Sequence, residues 1–195
     1  MKQKKSANTK GKIISAAWQL FYDQGYEQTT IDEIVEASHT SKGSFYHYFE
    51  GKDALLGTLS YVFDEKYAEL EPRLAGIGNR MEQLLFLNRE LFSMIENSIS
   101  LELLARLLST QLTTRGEKYL LDRNRYYYRL LRRIFQEGQA DGEFRTDLSV
   151  NDLVKLYAVS ERALLYDWCI CNGEYSLKTY GQALMPIYLG KIHIQ

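Results

Sequence analysis

Residues Thr29–Lys52 read TTIDEIVEASHTSKGSFYHYFEGK, and this stretch decides the fold. Two apolar-patterned segments, Ile31 to Ala37 and Ser41 to Phe49, flank Ser38-His39-Thr40, a break with room only for a tight turn. That spacing predicts a helix-turn-helix. Thr30 followed three residues later by Glu33 is a capping box, in which the hydroxyl takes an orphan amide and the carboxylate reaches back. A helix therefore starts near Ile31. Ile31, Ile34 and Val35 share one face and Asp32, Glu33 and Glu36 the other, so one side packs on neighbours. In the second segment Phe45 and Phe49 lie one turn apart and point inward with Ile34 and Val35. Lys42 and Tyr46 fall on another face beside Gly43, Ser44 and His47, a set suited to phosphates and base edges. Thr40 and Ser41 can cap this second helix and leave its positive end open to an anion. By spacing alone, the pair is equally a DNA-reading unit or a helical packing unit.

The order of motifs goes further. Gly25-Tyr26, Thr29-Thr30, Ile31 to Val35, Ser41 to Phe49 and Gly51 to Leu56 stand in register over about forty residues, and together they resemble the N-terminal domain of TetR-family transcriptional regulators. The resemblance implies that Thr30 touches a backbone phosphate and that Thr40, Ser41, Lys42, Gly43 and Ser44 form the entry to a recognition helix. It implies further DNA contacts from Tyr46, His47 and Tyr48, and a phosphate held by Lys52. Two positions depart from the family pattern: His39 stands where glycine is usual in the turn, and Thr40 where an aliphatic residue is usual. Histidine is among the side chains that tolerate a left-handed turn, so the unit survives both changes.

Outward from this stretch, the chain has 195 residues, 45% hydrophobic and 13% aromatic, with two prolines, enough to bury a sizeable core in an all-α fold. No run approaches the ~18 apolar residues of a membrane span and the first residues lack a signal peptide's apolar core, which predicts a cytoplasmic protein with no membrane partner. Cys169 and Cys171 point apart on a helix, so they read as buried free thiols, neither a disulfide nor a metal site. A net charge of −1 does not announce a nucleic-acid binder, but Lys2, Lys4, Lys5, Lys10 and Lys12 form a basic, flexible arm.

About nine helices are expected. The first runs from about Thr9 to Gln24, stopped by Gly25; the next two are those above; the fourth continues from Lys52 to about Leu70 without a flexible linker. A boundary near Tyr67 divides a DNA-binding domain over residues 7–67 from a larger helical domain over residues 68–195. Beyond it, helices are expected over 80–96, 99–112, 117–139, 149–171 and 177–192, with Ser149 and Ser176 as caps.

The resemblance implies that the last two helices pair with those of a second subunit, and their large apolar residues suit this: Leu153, Leu156, Tyr157, Leu164, Leu165, Trp168, Leu184, Ile187, Tyr188 and Leu189. An intramolecular core would draw on the same residues. A homodimer is favoured because two heads one helical turn apart read a palindrome, where a single short helix reads too few bases. The resemblance also implies that helices four to seven enclose a small-molecule effector, with Tyr67, Phe86, Phe92, Met94, Tyr126, Tyr127 and Tyr128 as candidate lining, mostly ordinary core. Arg125, Arg129, Arg132 and Arg133 recur at helical spacing and suit either an anionic effector or a solvated face. The three histidines, His39, His47 and His193, form no catalytic or metal-ligand set and no phosphate-binding glycine loop is present, so neither an enzyme nor a cofactor is expected. The leading expectation is a repressor of operator DNA; a helical interaction or small-molecule-binding module without DNA binding is the alternative.

Overall fold

The computed structural model describes the backbone of residues 2–113 and 118–192, and side chains from residue 9 onward. The side chains of Lys2, Lys4 and Lys5, the break expected around residues 114–116, and His193 lie outside the described residues. Among those described there are ten α-helices, two 3-10 segments and no strand, an all-α protein as expected. The helices are α1 Lys2–Gln24, α2 Ile31–Ala37, α3 Lys42–Tyr48, α4 Lys52–Leu56, α5 Leu59–Leu70, α6 Arg80–Ser98, α7 Leu101–Thr113, α8 Tyr126–Ala140, α9 Val150–Ile170 and α10 Leu177–Leu189. They form two compact units, one of Met1–Ser60 with Arg106–Leu120 and one of Tyr61–Ala105 with Leu121–Gln195.

The first unit is built on the apolar stripes read from the sequence. Ile13, Ala17 and Phe21 of α1, Ile34 of α2, Phe45 of α3 and Leu55 and Leu56 of α4 are buried, and Phe49 caps them at 5% exposure. Two elements differ from expectation. The α1 helix starts at Lys2, so Lys10 and Lys12 ride on a helix and not on a flexible arm. The fourth helix is interrupted after Leu56, which turns one expected helix into α4 and α5. Thr58 explains the interruption: its hydroxyl donates to the Leu55 carbonyl at 2.6 Å and accepts from Trp18 Nε1 at 2.8 Å, diverting groups that would continue the helix. Gly57 lies against the Tyr119 ring with no room for a Cβ. A segment far along the chain thus belongs to this unit, and Arg106 joins it by an ion pair with Glu27 and by lying over the Tyr26 ring at 5.9 Å.

The second unit buries Phe92, Phe135, Phe144, Tyr157, Leu164 and Met185 in one core. Its caps are those expected: Ser149 accepts from the Asp152 amide at 3.2 Å and Ser176 from Thr179 at 3.3 Å. The helix expected from residue 117 starts later, as α8 at Tyr126. Asp122 is the cause. Its carboxylate takes the Asn124 amide at 2.9 Å and its carbonyl the Arg125 amide at 3.2 Å, closing a turn in place of a helix. Asp64 then supplies the missing cap, accepting from the amides of Tyr126 and Tyr127, each at 3.3 Å. Cys169 and Cys171 are free but only half-buried, and burial pushes the Cys169 thiol up to about 11. No helix among the described residues is long and apolar enough to cross a membrane.

Candidate nucleic-acid interface

The turn between α2 and α3 sets the presentation of everything beyond it. Ser38 ends α2, His39 follows at φ 51°, and the amides of His39 and Thr40 return to the carbonyls of Glu36 and Val35 at 3.0 and 3.1 Å. This is a Schellman closure, with histidine in the left-handed place that glycine usually fills. The conformation costs a non-glycine residue roughly 1–2 kcal/mol, which the paired turn amides offset. Thr40 compensates for its lost aliphatic anchor by pairing its hydroxyl with Ser38 Oγ at 2.8 Å.

Both caps read from the sequence are formed. Thr30 Oγ1 accepts from the Glu33 amide at 3.3 Å while Glu33 Oε2 takes the Thr30 amide at 2.7 Å. These bonds, from the backbone and then the side chain of Thr30, hold the Glu33 carboxyl below its usual range. Ser41 Oγ accepts from the Ser44 amide at 3.1 Å and starts α3. Phe45 is fully buried and Tyr46 is 56% exposed, so the division of α3 into a packing face and an outward face holds. Lys42, Gly43 and His47 are exposed with Tyr46, whereas Ser44 and Tyr48 are half-buried, the Tyr48 ring standing edge-on to His47 at 4.7 Å.

Two cations are committed in ways that local sequence does not show. Lys42 pairs with Asp32 of α2 at 2.7 Å, and this hydrogen bond raises the Lys42 pKa. Lys52 donates to the carbonyls of Tyr26, Glu27 and Thr29 at 2.7, 3.4 and 2.9 Å and sits over the Tyr26 ring at 4.3 Å. Lys52 therefore ties the α1–α2 loop to the start of α4. Lys52→Met is expected to lower the stability of this unit by about 1.5–3 kcal/mol, since charge-assisted bonds are lost and carbonyls left open. Thermal unfolding checks this; an unchanged midpoint would remove the structural role. The structure also adds to the surface: Lys12 and Ser15 of α1 line an open groove of about 580 Å³ with His39. No local pattern announces that grouping, because it joins positions 27 residues apart in the chain, from Lys12 to His39.

In the second unit the candidate effector residues separate. Tyr67, Phe92, Tyr127 and Tyr128 are buried core, Met94 is half-buried, and Phe86 carries Arg73 and Arg89 over its ring at 4.8 and 5.3 Å. Tyr67 and Tyr127 direct their hydroxyls to Glu161, a carboxylate only 4% exposed that the sequence reading passed over. The four arginines do not act as a row. Arg125 is buried against Asp64 at 2.8 Å, Arg129 lies on Tyr126 and bonds the Asn124 carbonyl, and Arg133 pairs with Glu71. Arg132 faces a cavity between α8 and α9.

The apolar residues expected at a subunit contact divide similarly. Leu153, Tyr157, Leu164, Leu165, Trp168 and Leu189 are buried within the subunit. Of the expected set, Ile187 and Tyr188 of α10 remain outside at 69% and 42% exposure, joined by Val159 and Ile170 of α9 at 45% and 75% and Tyr180 of α10 at 42%, which the sequence pattern does not single out.

Comparison with known proteins places this geometry. Residues 13–59 match the family described as bacterial regulatory proteins, tetR family. The chain is 27% identical over 188 residues to the HTH-type transcriptional repressor KstR2 of Mycolicibacterium smegmatis, covering 95% of this chain and 91% of the relative. Among solved structures it is similar to Thermus thermophilus FadR, a TetR-family transcriptional repressor in complex with lauroyl-CoA, with a TM-score of 0.78, 22% identity and 95% of each chain covered. It is also similar to the FadR regulator of Bacillus subtilis in complex with stearoyl-CoA, with a TM-score of 0.67, 20% identity and 93% and 98% of the two chains covered.

Proposed function

The chain is a TetR-family transcriptional regulator, and from that premise we propose that it is a homodimeric repressor, reading a palindromic operator and released from it by a small-molecule effector. In this reading residues 7–67 form the DNA-binding domain and residues 68–195 the effector-binding and dimerisation domain. Thr30, Thr40, Ser41, Lys42, Gly43, Ser44, Tyr46, His47, Tyr48 and Lys52 are the proposed DNA contacts, joined by Lys12 and His39. The observation that carries the reading is α3, which opens at a capped N-terminus and presents Lys42, Tyr46 and His47 outward while Phe45 anchors it. A helix so presented can enter a major groove without disturbing its own core.

The FadR neighbours were solved with acyl-CoA molecules, in which an apolar tail is joined to a phosphate-bearing head. We take a ligand of that class as the effector. Release requires that the effector favour a body conformation in which the two heads no longer match successive major grooves, about 34–36 Å apart. Operator DNA must then weaken effector binding by the same factor.

A mobility-shift titration against the chain's own upstream region tests the assignment of α3. Tyr46→Ala is expected to weaken operator binding by about 1–3 kcal/mol with an unchanged melting temperature. Asp32→Asn acts in the opposite direction: it frees Lys42 from its ion pair and removes an acid from beside the phosphates, so affinity rises several-fold, most at low salt. If Tyr46→Ala binds like the parent and Asp32→Asn binds no better, α3 is not the reading helix.

A further inference from the structure

Between α8 and α9 the second unit holds a cavity of about 210 Å³ lined by Arg123, Arg132, Lys155 and Arg162, with Tyr128 and Asn151 beside them and Leu121, Val154 and Ala158 as its apolar wall. No acid lines it. Elsewhere in the same unit several arginines are matched, Arg125 with Asp64, Arg133 with Glu71, Arg80 with Glu137 and Arg145 with Asp147, while Arg129 bonds a carbonyl and lies on a ring. The four cations of the cavity have no ion-pair partner among the described residues. Their hydrogen bonds reach neutral groups, Arg132 Nη2 donating to the Arg123 carbonyl at 2.9 Å and Arg162 Nη1 to the Tyr128 hydroxyl at 3.4 Å.

The arrangement is concave and one-signed. Asn151, Lys155, Ala158 and Arg162 follow one another at helical spacing along α9, and Arg132 meets them from α8. A solvated basic face spreads its charges outward, where water and salt screen each one. Here they converge against a partly apolar wall, which focuses a positive potential and leaves like charges to repel until an anion arrives. The size narrows the choice. Sites for whole small molecules measure about 300–1,000 Å³, so a smaller cavity takes one end of a ligand. The charge narrows it again: a single carboxylate would leave most of these cations unmatched, whereas a polyphosphate offers several oxygens, and the guanidinium fork suits phosphate geometry.

We propose that this cavity seats the polyphosphate-bearing end of the effector. The proposal rests on the effector-released reading and specifies which part of the ligand is recognised by charge, and by which residues. The test is calorimetric titration of inorganic pyrophosphate, coenzyme A and phosphate-free pantetheine into the full chain without DNA. Pyrophosphate and coenzyme A are expected to bind, coenzyme A more tightly, with affinity falling as salt rises; pantetheine is not expected to bind. Lys155→Gln with Arg162→Gln should weaken coenzyme A at least tenfold, and Arg123→Gln, at an exposed position, should weaken it alone even if the double variant folds poorly.

Equal affinity of the parent and a well-folded variant would overturn the proposal. So would binding of pantetheine as tight as coenzyme A, or binding of pyrophosphate with none of coenzyme A. A mobility shift of the parent without ligand is read separately. Failure there removes the regulator reading and leaves the anion titrations to stand or fall on their own.

Discussion

Ile187→Glu is expected to convert the proposed dimer to a monomer at micromolar concentration and to weaken operator binding at least about 100-fold, the lower end of what joining two binding modules contributes. Ile187 is 69% exposed on α10, so the subunit loses no core when it changes. Across a two-fold interface the same position recurs in both copies, and a new carboxylate is buried twice without a partner. Val159, 45% exposed on α9, is the companion site, and Val159→Glu should act in the same direction. Leu164 is a poor probe by comparison, because it is 3% exposed within the subunit and a charge there disrupts the fold first. Light scattering reads the mass and a mobility shift the binding, with thermal unfolding as the control. A parent already monomeric, or an Ile187→Glu protein that stays dimeric and binds as before, would exclude this face as the subunit contact.

The choice of Ile187 over Leu164 illustrates where sequence pattern stops. Periodicity identifies that α9 and α10 each have apolar faces, but both helices are apolar on more than one side, and only packing tells which stripe the subunit itself consumes. Leu153, Leu164 and Trp168 go inward, leaving Val159, Ile170 and Ile187 outside. In the head the reading reached further, because the deciding signals are local: Thr30 with Glu33, Ser41 before Ser44, and Phe45 four residues before Phe49 all act within one or two turns. Apart from the local Asp122 turn that delays α8, the interactions that pattern does not announce are long-range. Trp18 reaches Thr58 across 40 residues and interrupts the fourth helix, Asp64 caps α8 from 62 residues away, and Lys52 closes on carbonyls 23 to 26 residues earlier. The arginines of α8 mislead for the same reason. Helical spacing puts them near one another along the chain, yet Asp64 and Glu71, both on distant elements, claim Arg125 and Arg133 and leave Arg132 to a cavity completed by α9.

Glu161 supplies the other large expected effect, and its sign depends on pH. The carboxylate is buried between Asn88 Nδ2 at 3.0 Å, the Tyr127 hydroxyl at 2.7 Å and the Tyr67 hydroxyl at 3.4 Å. Glu161→Ala strands these donors in the core, at about 1–3 kcal/mol for each one left without a partner, and opens a void as well. Glu161→Gln keeps the shape and an acceptor, so it should cost much less. Burial raises the Glu161 pKa above its ordinary 4.5, opposed by hydrogen bonds from Asn88 and the tyrosines. The folded protein then holds this proton more tightly than the unfolded chain, so its contribution to stability is complete below 4.5 and declines as pH rises through the folded value. Glutamine does not titrate. The stability difference between parent and Glu161→Gln should therefore shift in favour of glutamine as the pH is raised from about 4.5 toward 8, measured by denaturant unfolding at each pH. Parallel pH profiles for the two proteins would show that Glu161 carries the same charge folded and unfolded, and that hydrogen bonds, not desolvation, govern the buried carboxylate.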